Sequence, residues 1–370
     1  MATEFSLPHW YDLHTHFRQD ETLQATVKDH VHMNCAGALA MPNTAPPVGK
    51  IFEAEEDTRY KSIEQYRAEI LTASGGTFKE VIVPLYLTKD TTPDMIEKGA
   101  AAGILKACKY YPPHGTTGAE SGAPLDIYMK NGVFQAMQEA GVTLCVHGEE
   151  HGLEPERYFD RGENAETIFY QQRMPRLIES FPELRVVGEH LTTKVAVDFI
   201  QTAPAHVKAN ITPQHLIYTV GNLLKGLKYH LYCLPLVKYH EDRAALREAS
   251  TAANNTKFFA GTDSAPHTKK MTACGCAAGC YTGRIAPQLY AQAFEMAGVD
   301  LGSQAGQMIF KKFLCTIGQD FYGLPESKET FTLEKRPEDV LPLKVGDQSI
   351  IPLPLGMDFE VTWRIKPQPL

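Results

Sequence analysis

The 370 residues contain no apolar run long enough to cross a bilayer; the longest, such as VIVPLYL, fall far short of a transmembrane helix. The opening MATEFSLPHWYD has no basic stretch followed by an apolar one, so no signal peptide is expected. Positive charge is not in excess: the net charge is -8, which argues against a nucleic-acid-binding surface. Gly/Ser linkers, internal repeats and low-complexity tracts are missing. Cysteine is sparse, and its eight occurrences are mostly single, which favours reduced thiols in a cytoplasmic protein over a disulfide framework. What remains is an ordinary globular composition, 43% hydrophobic, in a chain long enough for two domains or one large α/β barrel.

One pattern does recur. Short apolar runs end in a polar residue and are followed by a helical stretch. The runs are residues 9–16, 37–43, 80–88, 103–112, 141–149, 184–192, 206–215 and 257–267. Helices are predicted between them, over 53–71, 125–140 and 193–203 among others. Eight strands alternating with helices indicate a parallel sheet, and eight is the number that closes a (β/α)8 barrel. An open doubly wound sheet is the alternative. The barrel is expected over residues 1–325. The Pro-rich remainder, 326–370, is expected to wrap it as short strands and loops within the same domain.

The polar residues fall at the ends of these runs. His14 and His16 close the first, Asn43 the second, Lys109 the fourth, His147 the fifth, His190 the sixth and Asp263 the eighth. Residues i and i+2 of a strand share a face, so His14, His16 and Arg18 can meet in one cavity. In a barrel the C-terminal strand ends share one mouth, where active sites are built. Four histidines and an aspartate are ligands suited to zinc and similar ions. They are too many for one open catalytic zinc, so a two-metal site is the natural reading, able to activate a water and polarise a carbonyl together. Two close cations need a bridging anion, and Lys109 supplies one if its amine is carboxylated, chemistry that burial favours. The competing readings are a surface lysine at 109, core histidines at 147 and 190, and a helix cap at Asp263. Lys106 faces the other side of the strand. Asp263 is also the best general base.

Around this centre, Arg18, Asn43 and His267 form a plausible carboxylate clamp. The Gly/Pro/Thr-rich stretch 112–124 has lid character. Cys274, Cys276 and Cys280 in CGCAAGC suggest a metal knuckle, although the spacing fits no common zinc site and a compact loop is preferred. Glu149 and Glu189 are read as supporting residues that face away, and His30, His32 and His215 as structural.

The stretches DLHTHFR, MPNTAPPV, KYYP, TLCVHGE, EHLTTK, ITPQHL, HLYCLPLVK, GTDSAPH and CGCAAGC, in that order over residues 10–325, resemble the dihydroorotases of the amidohydrolase superfamily in their compact, free-standing form. The resemblance implies a metal-dependent hydrolase barrel that interconverts N-carbamoyl-L-aspartate and L-dihydroorotate in pyrimidine biosynthesis. It implies two zinc ions per chain, one held by His14, His16 and Asp263 and the other by His147 and His190, with N6-carboxylated Lys109 between them. Arg18, Asn43 and His267 would bind the substrate carboxylate. Leu234 and Ala277 would touch the ring through backbone, and Thr116 and Thr117 would sit on a closing loop. A homodimer is implied as well. Two departures stand out: Thr15 replaces an apolar residue between the first two ligands, and CAAGC is one residue longer than the family's CAGC. A hydantoinase- or allantoinase-like amidase and a non-catalytic barrel scaffold are the alternative functions. Only 13 residues precede His14, fewer than the flanking β-domain of the hydantoinases requires.

Overall fold

The computed structural model describes residues 3–113 and 115–367. All eight expected runs form strands. Trp10–Thr15 pairs in parallel with Cys35–Ala40, which pairs with Glu80–Ile82. Leu85–Tyr86 then pairs with Ala107–Tyr110, followed in order by Thr143–Val146, Val186–Gly188, Val207–Ile211 and Phe258–Ala260. The third strand is in two pieces because Pro84, which has no N–H to donate, interrupts it. The last strand returns to the first: Asp263 N–H donates to the His14 carbonyl at 2.8 Å, and Thr15 bridges Ser264. The sheet therefore closes into the barrel.

One buried apolar side chain or more from nearly every stave fills the lower interior. Tyr11, Leu13, Leu39, Ile82, Ala107, Cys145, Val187 and Phe259 form one cluster with Ile317 and Phe321 of the helix Ile317–Tyr322, which plugs the barrel floor. The apolar filling leaves the opposite end of the barrel for polar groups.

Two helix expectations need correction. The predicted helix over 53–71 is present only as Ile63–Ala73. Glu53, Glu55, Glu56 and Asp57 would repel one another on a helix. Instead the Glu55 carboxylate turns back to accept from the N–H groups of Ile51 and Phe52, and the Ser62 side chain caps the helix by accepting from Gln65 N–H. The predicted 125–140 helix is two, Leu125–Lys130 and Val133–Ala140, broken at Gly132 in the left-handed region (φ 86°). The third, Lys194–Thr202, falls as expected.

The segment after 325 pairs Thr330–Glu334 antiparallel with Glu4–Pro8 and with Arg364–Ile365. Trp363 is fully buried there against Phe5, and its indole N–H donates to Glu295. A hairpin, Leu343–Val345 with Gln348–Ile350, packs on helix Asp20–His32. Among the described residues no helix is long and apolar enough to cross a membrane.

Candidate active site

The polar residues at the upper strand ends do converge. His14, His16, His147, His190 and Asp263 are all buried and line one small internal cavity with Arg18 and Asn43. A register irregularity between Asp12 and Thr15 lets Tyr11 and Leu13 fill the lower barrel while His14 and His16 reach the cavity above. One carboxylate oxygen of Asp263 lies 3.0 Å from His16 Nε2 and 3.4 Å from His14 Nε2. Ligand atoms of His14, His16 and Asp263 all lie within 4.8 Å of one another, close enough to share a cation. The ring centroids of His147 and His190 are 4.8 Å apart, and His190 is 5.0 Å from His14. The four imidazoles therefore form one continuous cluster.

Three of the four imidazoles are oriented by a side-chain partner, as metal-ligating histidines usually are. His14 Nδ1 pairs with a Glu189 carboxylate oxygen, which also accepts from the Asn210 amide. His147 Nε2 lies 2.8 Å from the Glu149 carboxylate, and His16 Nδ1 lies 2.7 Å from Asn43 Oδ1. Glu149 and Glu189 thus turn toward the histidines rather than away. The strands end at Val146 and Gly188, so two-residue alternation no longer governs either residue. His190 is placed through its backbone instead, left-handed (φ 41°) and held by its N–H donating to Asn210 Oδ1 at 2.6 Å. Arg18 (φ 62°) and Asp263 (φ 47°) adopt the same sparsely populated conformation. Strained residues of this kind cost about 1–3 kcal/mol each and cluster at functional sites.

Lys109 is fully buried, its Nζ has no hydrogen-bond partner among the described residues, and it stands 4.8 Å above the Tyr111 ring. Lys106, by contrast, is turned outward to Glu80. Burial holds the Lys109 amine below the usual lysine range, toward the neutral form that reacts with carbon dioxide. His190 Nδ1 and Glu189 Oε1 are likewise buried without partners. Buried polar atoms are ordinarily satisfied, so this group of orphans fits a site built to hold cations and a bridging anion. Burial also lowers His16 to about 4 and pulls His147 and His190 down, keeping these imidazoles neutral as ligation requires. For Asp263, burial alone would raise the carboxyl. The adjacent imidazoles of His14 and His16 outweigh it and keep the carboxylate ionised.

The other expected residues surround this centre. Arg18, Asn43 and Thr117 line both the internal cavity and a wider one of about 870 Å³ that opens to solvent and also touches His267. Thr116 and Leu234 line the inner cavity. Asn43 is committed at both ends, its amide N–H₂ donating to the Thr117 carbonyl at 2.9 Å. That bond and Tyr86 donating to the Gly118 carbonyl hold the 112–124 loop down over the cavity; His114 of that loop lies outside the described residues. Arg18 reaches within 3.4 Å of His267 Nε2, which donates to the Ala278 carbonyl. Burial, with Arg18 beside it, pushes His267 down to about 3.

Ala277 is not on the cavity wall. Ala278 and Gly279 are, one and two residues later, because both backbone polar groups of Ala277 bond to Lys270. The cysteine knuckle is not formed either: Cys280 is buried and bridged through its backbone to Ser264, Cys274 is exposed, and all three are free thiols. His30 bonds Asp12 and Thr26, and His215 bonds Thr212 and Pro235, both away from the cavity.

Several residues carry no mark in the sequence that singled them out. Asp12 accepts from Thr262 N–H and hydroxyl, tying the first strand to the last. Its place two residues before His14 was the available signal. Tyr111, within KYYP but with no role expected there, lines the inner cavity, and Val345, Asp347 and Gln348 of the C-terminal hairpin, which no motif marks, line the outer one.

No protein-family model matches the chain. Curated proteins do. The dihydroorotase of Picosynechococcus sp. is 40% identical over 366 residues, covering 96% of this chain and 96% of its own. That of Stutzerimonas stutzeri is 40% identical over 374 residues, 99% of each. Among solved structures, Saccharomyces cerevisiae dihydroorotase in complex with 5-fluoroorotic acid matches with a TM-score of 0.84 at 26% identity, covering 100% of both chains. An L-hydantoinase from Arthrobacter aurescens shares the fold alone, with a TM-score of 0.74 at 14% identity, covering 98% of this chain and 83% of that one. With full-length relatives at this identity and a metal-competent histidine cluster at the barrel mouth, the chain belongs to the dihydroorotase family.

Proposed function

We propose that this chain catalyses the reversible cyclisation of N-carbamoyl-L-aspartate to L-dihydroorotate, a step of pyrimidine biosynthesis. The observation that carries the reading is the convergence of five buried ligand side chains on a cavity that Arg18 also lines, with the buried Lys109 amine standing over Tyr111 of its wall. His14, His16 and Asp263 would hold one zinc ion and His147 and His190 a second, with carboxylated Lys109 shared between them. When bound, the pair supplies Lewis acidity, polarising the ring amide carbonyl and making a water nucleophilic at neutral pH.

The chain's own groups do the rest. In the ring-opening direction the water oxygen bonds to the amide carbon and the carbon–nitrogen bond breaks. Asp263 accepts the water proton and returns it to the departing ring nitrogen. Ionised and buried, it is poised to accept. Arg18 grips the substrate carboxylate at the junction of the two cavities with His267 beside it, and Leu234, Ala278 and Gly279 bound the ring. Asn43 links ligand His16 to Thr117, so closure of the 112–124 loop and the orientation of a metal ligand are coupled. The loop must lift to admit substrate and close to exclude water. The same reading makes the protein a cytoplasmic homodimer acting on a small molecule.

The carboxylate clamp sets the test. Dihydrouracil is the same ring without the carboxylate. The kcat/KM for dihydroorotate is expected to exceed that for dihydrouracil and hydantoin by roughly 10³ or more, since a site built around a charged group rejects analogues lacking it. Comparable turnover of the uncharged rings would instead assign a hydantoinase-like amidase.

A further inference from the structure

Lys270 is buried, 7% exposed, yet among the described residues its side chain pairs with carbonyls and not with a carboxylate. Its Nζ instead lies 2.6 Å from the Tyr232 carbonyl, 2.6 Å from that of Ala277 and 2.5 Å from that of Gly279. A lysine ammonium has three N–H donors and no acceptor, so all three are used here and none is left for solvent. Burying such a group is costly unless its hydrogen bonds are fully made.

The three carbonyls come from two separate segments, and each segment contributes to the wall of the inner cavity. Tyr232 lies two residues before Leu234. Ala277 and Gly279 flank Ala278, and Leu234, Ala278 and Gly279 are all on the wall. The segments are further joined by Gly279 N–H donating to the Tyr232 carbonyl at 3.0 Å, and Ala277 N–H donates to the backbone carbonyl of Lys270 itself. The Ala278 carbonyl, between two stapled neighbours, accepts from His267. Gly279 has φ 135°, and a Cβ there would lie 2.6 Å from that of Ala265 and 2.9 Å from His267 Nε2, so this backbone has little freedom once placed. Without the ammonium, three carbonyl dipoles would converge on one buried point with nothing to offset them.

We propose that Lys270 is a positioning residue that fixes the backbone wall against which the substrate ring is held. It touches neither substrate nor metal ligands and acts through the Tyr232–Leu234 and Ala277–Gly279 segments. The proposal rests on the dihydroorotase reading. Its signature is a split between binding and chemistry: a displaced wall weakens ring binding but leaves the ligands and Asp263 in place.

The test compares Lys270→Met and Lys270→Gln with wild type in dihydroorotate turnover, zinc content and calorimetric titration with orotate. K270M is expected to raise KM for dihydroorotate and Kd for orotate at least tenfold, with kcat within about threefold and zinc content unchanged. K270Q, which keeps two donors, is expected to fall between, and it decides the matter should K270M fail to fold. A KM and Kd within twofold of wild type, or a parallel loss of zinc and kcat, overturns the proposal while leaving the function standing. A wild-type chain that does not turn over dihydroorotate overturns the function, and this inference with it.

Discussion

Replacing Asp263 with Asn is expected to lower kcat roughly 10³-fold while zinc stays bound, which corresponds to about 4 kcal/mol of lost transition-state stabilisation. The substitution is nearly isosteric and keeps an oxygen for the cation. Asn also tolerates the left-handed backbone that residue 263 adopts (φ 47°), so the strand end and its hydrogen bond to His14 should survive. What disappears is the basicity. An amide cannot take the water proton, whereas the Asp263 carboxylate, kept ionised beside His14 and His16, can do so in the proposed mechanism. Steady-state kinetics with metal analysis on the same preparation decide it. A variant within tenfold of wild type would remove Asp263 from proton transfer.

The second large effect is expected at Lys109. Lys109→Met substitutes an apolar side chain of similar length for a fully buried amine with no hydrogen-bond partner. Exchanging a buried polar or charged group for a well-packed apolar one is often neutral or stabilising. Thermal stability of the metal-free protein should therefore hold or rise. On the proposed reading turnover should fall about 10³-fold or more, because the substitution removes the anion that Lys109 would share between two cations and with it several kcal/mol of charge stabilisation. The opposite signs for stability and activity separate this from simple misfolding. Wild-type-like turnover in K109M would show that Lys109 is only a core residue.

Much of this site is legible in the amino-acid sequence because strand ends in a parallel barrel share one mouth. His14, His16, Lys109, His147, His190 and Asp263 all stand out by their position at the close of apolar runs. The period of two works where a strand is regular and fails where it stops. Glu189 and Glu149 follow the last strand residues, and with His190 left-handed the alternation that would have turned Glu189 away no longer applies. Ala278 lines the cavity and Ala277 does not, a matter of loop register, since both backbone polar groups of Ala277 are bonded to Lys270. The helix expected over 53–71 loses its first turns to local charge, four acids within five residues that no helix face can separate. The C-terminal hairpin is illegible as a cavity wall, since Val345, Asp347 and Gln348 reach the mouth through tertiary packing on helix Asp20–His32.

A two-cation centre in this barrel mouth is the central claim, and one titration addresses it. Wild-type protein is stripped with a chelator, and dihydroorotate turnover is followed as zinc is restored. No turnover is expected without metal, with activity rising to a plateau at two ions per chain. Full activity in the stripped protein, or a plateau at a single ion, would contradict it.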